Sequence, residues 1–469
     1  MVFSSLLFVF VFLSLNIFIY RIVPFKYKNG VLLIFSLIFY MWGGPQYLIL
    51  LIGETWISWY LAKRIESNRN KSKQYIILEC IILLGLLGIF KYLTFIMENI
   101  KYITGGTFAI PNIILPIGIS FYTFQLISYV VDVYRKKVKA QPKFWKLLLY
   151  SSLFHQCIAG PIVRYESVAN DIDNRTIKKT DVYLGIRRFI IGLAKKAVLA
   201  NSCAVVADSL IMGDTLKSQA VLGLWLGMLF YMLQIYLDFS AYSDMAIGMG
   251  MMVGFHYPEN FNYPYAATSV KDFWRRWHIS LSTFFRDYVY IPLGGNRCSK
   301  IKFVRNMFMV WFLTGMWHGA SWNYILWGLY YFVFLMIENF IIKGRLPKLV
   351  GYIATFIIVY FGWVIFKFEN IADLGNVLSG MFGGDGRVFV NLEVKTIFLN
   401  NIFFLIIALI AVFPIGKLIR DKLYNIGKKN QKVLVFINIV DMLTPTIMLF
   451  LAVIALIGDS YNPFLYFQF

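Results

Sequence analysis

Read from the N-terminus, the chain is a succession of long apolar runs separated by short polar connectors. Runs suited to crossing a bilayer lie at residues 2–20, 31–41, 47–61, 75–96 and 113–133, and they resume at 307–316, 322–341, 349–366, 397–413 and 433–457. A hydrocarbon core about 30 Å thick needs roughly 20 apolar residues per spanning helix. Together with residues 221–255, long enough for one tilted helix or two short ones, the pattern predicts an all-α polytopic membrane protein with about eleven transmembrane helices. The whole of 1–469 reads as one integral membrane domain, without internal repeat, low-complexity segment or soluble module; its longest polar stretch, about 380–395, reads as a loop.

The middle of the chain departs from this rhythm. Residues 147–162 are too short for a full crossing and end in Ala-Gly-Pro, which predicts a half-span or re-entrant piece covered by protein. Arg187, Arg188, Lys195 and Lys196 punctuate the next helical stretch. An ionised side chain at mid-bilayer costs at least about 2.5 kcal/mol, so that stretch is expected to face the interface or the cytoplasm. From 269 to 290 the pattern turns amphipathic, with Lys271, Asp272, Arg275, Arg276, Arg286 and Asp287 set among Phe273, Trp274, Trp277, Phe284 and Phe285. Such a mixture predicts a helix lying in the membrane interface.

Composition sharpens the class. Of 469 residues 59% are hydrophobic and only 15% charged, against about 25% charged in ordinary soluble domains. The net charge of +21 does not point to nucleic acid, because the basic residues fall in short clusters between apolar runs. Clusters at 21–28, 63–73 and 135–146 alternate with connectors at 43–45 and 101–108 that are nearly free of positive charge, which places the N-terminus outside and the basic connectors in the cytoplasm. The first run has no charge before it and no Ala-x-Ala cleavage site, so it reads as a retained helix. Four scattered cysteines show no CxxC and no metal-type spacing, and no metal site is expected.

Chemistry narrows to four histidines. An ionisable group inside a spanning run is a functional candidate, and His318 interrupts the run from 307 to 341 in Gly-Met-Trp-His-Gly-Ala-Ser-Trp. Gly315 and Gly319 beside it would let substrate or another helix approach the imidazole; a core histidine bonded to a neighbouring helix fits the composition equally well. His278 lies on the amphipathic segment, where a surface histidine is the commoner outcome. Arg275 and Arg276 beside it suit lipid phosphates or the phosphates of a nucleotide-bearing donor. The turn at Pro292-Leu-Gly-Gly-Asn-Arg297 lacks the spacing of a phosphate-binding fingerprint. For His155 and His256 the structural or interfacial reading is favoured. Asp238 and Asp244 could couple ions or partner buried Arg or Tyr groups, and the partner role is preferred.

Two strings are long enough to carry a resemblance: DFWRRWHISLSTFFRDYVYIPLGGNR at 272–297 and GMWHGASWNYILW at 315–327. With LPIGISFYTFQLISYVVDVYR (115–135), AGPIVRY (159–165) and LDFSAYSDMAIG (237–248), they resemble the membrane-bound O-acyltransferases over about 115–335, in particular the alginate O-acetyltransferase-like branch. His155-Gln156-Cys157 departs from the pattern, where relatives tend to carry Phe and Pro.

The resemblance implies helices around a central funnel or tunnel, His318 as the membrane-embedded catalytic histidine and His278 as the second active-site position. It implies acetyl-coenzyme A as donor substrate, entering near Arg275, Arg276 and Trp277, with no permanently bound cofactor. His318 would serve as general base towards a hydroxyl, and His278 would orient the thioester or stabilise its oxyanion. An extracytoplasmic polysaccharide, or a separate acetyl-accepting protein of esterase-like fold, would take the acetyl group. D-alanyl transfer to teichoic acid is the rival within the family. A transporter or flippase using Asp238 and Asp244 is the rival from another class, weakened by the missing repeat.

Overall fold

The computed structural model describes residues 1–111, 113–157, 160–213 and 215–458, and among these every regular element is a helix. Seven helices there are long and apolar enough to cross a membrane, and Leu7–Ile22 is a shorter apolar helix. The count set beside the expected eleven is smaller because several apolar runs fold as shorter helices, such as Phe25–Met41 and Ile119–Tyr134.

The chain packs as two compact units, 1–189 with 243–259 and 190–242 with 260–469. In the first unit, α1 (Pro45–Ser67), α2 (Ser72–Thr104) and α3 (Ile119–Tyr134) form a helical group whose interior is partly polar. Glu54 accepts from Thr123 at 3.1 Å, and Thr55 and Ser151 share a bond of 2.8 Å. The segment expected to be broken is broken: Phe144–Ser152 and Phe154–Cys157 are separate helices, while Ile158 and Ala159 lie outside the described residues.

Two long helices, α4 (Lys179–Ile211) and α5 (Val221–Val253), each run through parts of both units. α4, expected to face the interface or the cytoplasm, is apolar and long enough to span, and two of the basic residues that punctuate it are engaged in ion pairs. Arg188 pairs with Asp244 at 2.9 Å and also with Glu259 in the first unit. Lys196 pairs with Asp238 at 2.9 Å in the second, both side chains almost fully buried. Both aspartates therefore take the partner role. Residues 221–253 form one helix of 33 residues, not two.

The second unit continues with α6 (Val270–Arg276), α7 (Ile279–Phe285), α8 (Lys300–His318), α9 (Trp322–Ile337), α10 (Lys348–Lys367), α11 (Leu392–Val412) and α12 (Gln431–Gly458). The polar stretch read as a loop narrows to 382–391 with one short turn of helix. The core of this unit is heavily aromatic, built on Trp274, Trp277, Trp327, Tyr331 and Trp363.

α8 and α9 form the hairpin that carries His318. Ser299 caps α8, its side chain accepting from the amide of Lys302. A Cβ on Gly315 would lie 2.4 Å from the carbonyl oxygen of Tyr324, and one on Gly328 would lie 2.3 Å from that of Trp311. The two helices thus touch backbone to backbone, as small residues permit in membranes.

Candidate active site

His318 is the last residue of α8, where the chain leaves the helix through an extended Gly319. A Cβ at position 319 would lie 2.2 Å from the ring of Tyr324, so α9 packs directly against this glycine. The imidazole is 5% exposed and meets aromatic edges and faces, with Trp327 at 4.9 Å, Trp317 at 5.1 Å and Phe366 at 5.3 Å between ring centroids. On its far side, Asn323 donates to the carbonyl of Phe366 at 3.0 Å, and the Tyr324 hydroxyl donates to Glu369 at 3.0 Å. These bonds tie the start of α9 to the end of α10 and set the wall against which His318 rests.

The segment expected to be one interfacial helix is two short helices with a bend at His278. Ser269 caps α6 by accepting from the Asp272 amide at 3.0 Å, and α6 ends at Arg276. His278 then adopts a left-handed backbone, φ +43°, as the N-cap of α7. That conformation is uncommon for a residue with a side chain and is often found at functional turns.

His278 is not a surface residue: it is 0% exposed, with Phe239 at 4.8 Å edge to face and Trp317 at 5.7 Å. The sequence suggested a surface because charges surround it, but those charges sit on the opposite sides of two short helices.

Asn260 holds the turn. Its side-chain oxygen accepts from the Ser280 amide at 3.2 Å and the Ser280 hydroxyl at 2.8 Å, and it lies 3.1 Å from Nδ1 of His278. An amide oxygen only accepts, so Nδ1 carries the proton and Nε2 keeps the lone pair. Burial pushes the His278 imidazole down to about 3, which holds it neutral. A neutral ring with this tautomer accepts at Nε2 and has no N–H there to give an oxyanion.

Trp317 brings the two histidines into one site, since its indole contacts both imidazoles. The other expected positions divide. Arg275 is exposed, and Arg276 is half-buried with its guanidinium on Asp272 at 3.0 Å. Trp277, expected beside the donor, is 2% exposed and packs in the aromatic core, with Trp363 tilted at 4.7 Å and Phe261 edge-on at 5.1 Å.

The Leu293–Gly295 turn spends its carbonyls on the buried Asn306 of α8, at 3.1 Å each, so it braces α8. His155 is buried beside Phe154 with Tyr257 at 3.4 Å, and His256 is exposed 3.6 Å from Asp181; both belong to the first unit. Sequence reasoning missed Asn260, which sits 18 residues before His278 in a Pro- and Asn-rich loop with no periodic signal. Trp317 and Phe366 were missed as site residues because apolar aromatics are plentiful here.

The model of the membrane-bound O-acyltransferase family matches residues 135–371, just over half the chain, and includes both histidines. The chain belongs to that family. Similarity extends to a probable alginate O-acetylase of Azotobacter vinelandii, 35% identical with all of both chains covered. A peptidoglycan O-acetyltransferase of Helicobacter pylori is 34% identical over 86% of this chain and 84% of its own. A teichoic acid D-alanyltransferase of Bacillus subtilis is 30% identical, over 55% of this chain and 69% of its own. This member of the membrane-bound O-acyltransferases is thus a membrane enzyme of acyl transfer to oxygen, and the buried histidine pair lies within its matched region.

Proposed function

We propose that the protein moves an acetyl group from cytoplasmic acetyl-coenzyme A across the membrane for O-acetylation of an extracytoplasmic polysaccharide, with a hydroxyl of a separate esterase-like protein as the first acceptor. The observation that carries this reading is the contact of Trp317 with both imidazoles, which gathers two buried bases in an aromatic enclosure. Water is poorly held there, so a thioester is protected from hydrolysis while a hydroxyl is admitted.

In the proposed step the acceptor oxygen attacks the thioester carbonyl carbon. The new C–O bond forms, the C–S bond breaks, and His318 takes the hydroxyl proton and returns it to the departing thiolate. The sum is ester plus thiol, with no net proton released. General-base help of this kind is worth about 10²–10⁴ in rate. His278, accepting at Nε2, orients the donor arm through one of its amide N–H groups. Arg275 and Arg276 receive the donor's phosphates from the cytoplasmic side.

The test is transfer from radiolabelled acetyl-coenzyme A in membranes holding matched amounts of wild type, His318→Ala and His278→Ala, with thioester loss followed in parallel. The expected result is turnover in wild type, none above background for His318→Ala, and a reduction of at least tenfold for His278→Ala. A wild type that leaves acetyl-coenzyme A intact but consumes a D-alanyl thioester would move the donor assignment to the teichoic acid branch.

A further inference from the structure

Away from the histidines, α5, α10 and α11 line an open groove of about 620 Å³ within the second unit. Its wall is apolar: Leu222, Leu226 and Leu229 from α5, Ile357 and Phe361 from α10, Phe398 from α11. Trp225 and Tyr360 also line it, stacked at 5.3 Å, but their polar atoms are engaged elsewhere. The Trp225 indole donates to the carbonyl of Met381 at 2.9 Å, and the Tyr360 hydroxyl to that of Trp225 at 2.7 Å. A buried water needs two to four polar partners. This wall does not supply them, and Leu222, Ile357, Val390 and Phe398 stand exposed along it, so the groove presents an open apolar face.

The position of the groove selects the occupant. All three lining helices are long and apolar enough to span a membrane, which suits their outer faces to lipid. The groove lies towards the ends of two of them, since Leu222 is in the first turn of α5 and Lys395 in the first turn of α11. Lys395 is the sole ionisable group among the groove's lining residues, and it stands at that end. The neighbouring loop, 382–391, exposes Phe382 and Phe389 and is fixed to α5 by two bonds of 3.0 Å, from the amides of Val221 and Leu222 to the carbonyls of Val388 and Phe389. An apolar slot with one cation at the headgroup end matches a single molecule with an apolar tail and an anionic head.

We infer that this groove binds one acyl chain of an anionic membrane phospholipid, whose phosphate is held by Lys395. The site is separate from the transfer chemistry and stands whether or not the donor is acetyl-coenzyme A. Its test is native mass spectrometry of the full chain from mild detergent, before and after exchange into phosphatidylglycerol or phosphatidylcholine. The variants are Leu226→Trp, which fills the slot, and Lys395→Gln, which leaves it open.

Wild type is expected to retain one phospholipid per chain with phosphatidylglycerol favoured several-fold. Leu226→Trp should lower that occupancy at least tenfold, and Lys395→Gln should erase the headgroup preference while keeping a lipid bound. Brominated acyl chains should also quench a part of the tryptophan emission that Trp225→Phe removes. A wild type without retained phospholipid, a retained mass that is an isoprenoid or a polypeptide, or equal headgroup preference in wild type and Lys395→Gln overturns the inference; the last comparison holds even where Leu226→Trp fails to fold.

Discussion

Asn260 fixes the chemistry of His278 by occupying Nδ1, and the ring's neutrality follows from burial. The folded pKa, pushed down to about 3, lies below the ordinary value of about 6.5. The unfolded chain therefore takes up the proton first as the solution is acidified. The stability contributed by the neutral ring is full above about pH 6.5 and is lost as the pH falls towards 3, amounting to about 2 kcal/mol by pH 5. Wild type should accordingly lose more thermal stability between pH 7 and pH 5 than His278→Gln, which carries no such proton. Parallel melting curves of the two in detergent check this, and equal acid sensitivity would contradict it. The same ring stays neutral throughout that range, so a fall in rate between pH 7 and pH 5 has to come from another group.

Among the elements, α4 and α5 show how a spanning helix carries charge. Lys196 and Asp238 neutralise each other with side chains 4% and 2% exposed. Removing one partner of a buried pair costs about 3–5 kcal/mol, while an apolar pair of similar volume is often neutral or better. Lys196→Met alone should therefore unfold at markedly lower temperature than wild type, and Lys196→Met with Asp238→Leu should recover most of the loss; a double variant no better than the single would show that the pair is not the cause.

This pair also marks where sequence reading stops. The helices themselves were legible from the length of their apolar runs, and His318 from the polar interruption it makes. The pairing of Lys196 with Asp238 was not, because 42 residues separate them and a lone lysine in a helix looks like a surface residue until its partner is placed. The same holds for His278, whose burial depends on Phe239, Asn260 and Trp317, all contributed from distant segments.

For the whole molecule, charge placement carries the orientation. The topology we propose from the alternation of basic and neutral connectors has the link between α1 and α2, with Arg69 and Lys71, in the cytoplasm and the N-terminus outside. In a variant with the four native cysteines replaced, a cysteine at Asn70 should react with impermeant maleimide only in inverted vesicles, and one at Gly106 only in intact cells. Reversal of both would turn the assignment over and move the donor's entry to the other face.

The glycine contact of α8 with α9 reaches further than packing. Positions 315 and 328 admit no side chain without forcing two backbones apart, so inherited variation is closed there whatever acyl group or hydroxyl a lineage comes to use. Diversification has to be written on the surfaces that face the hairpin, which makes the hairpin a chassis and the residues around it the adjustable fittings.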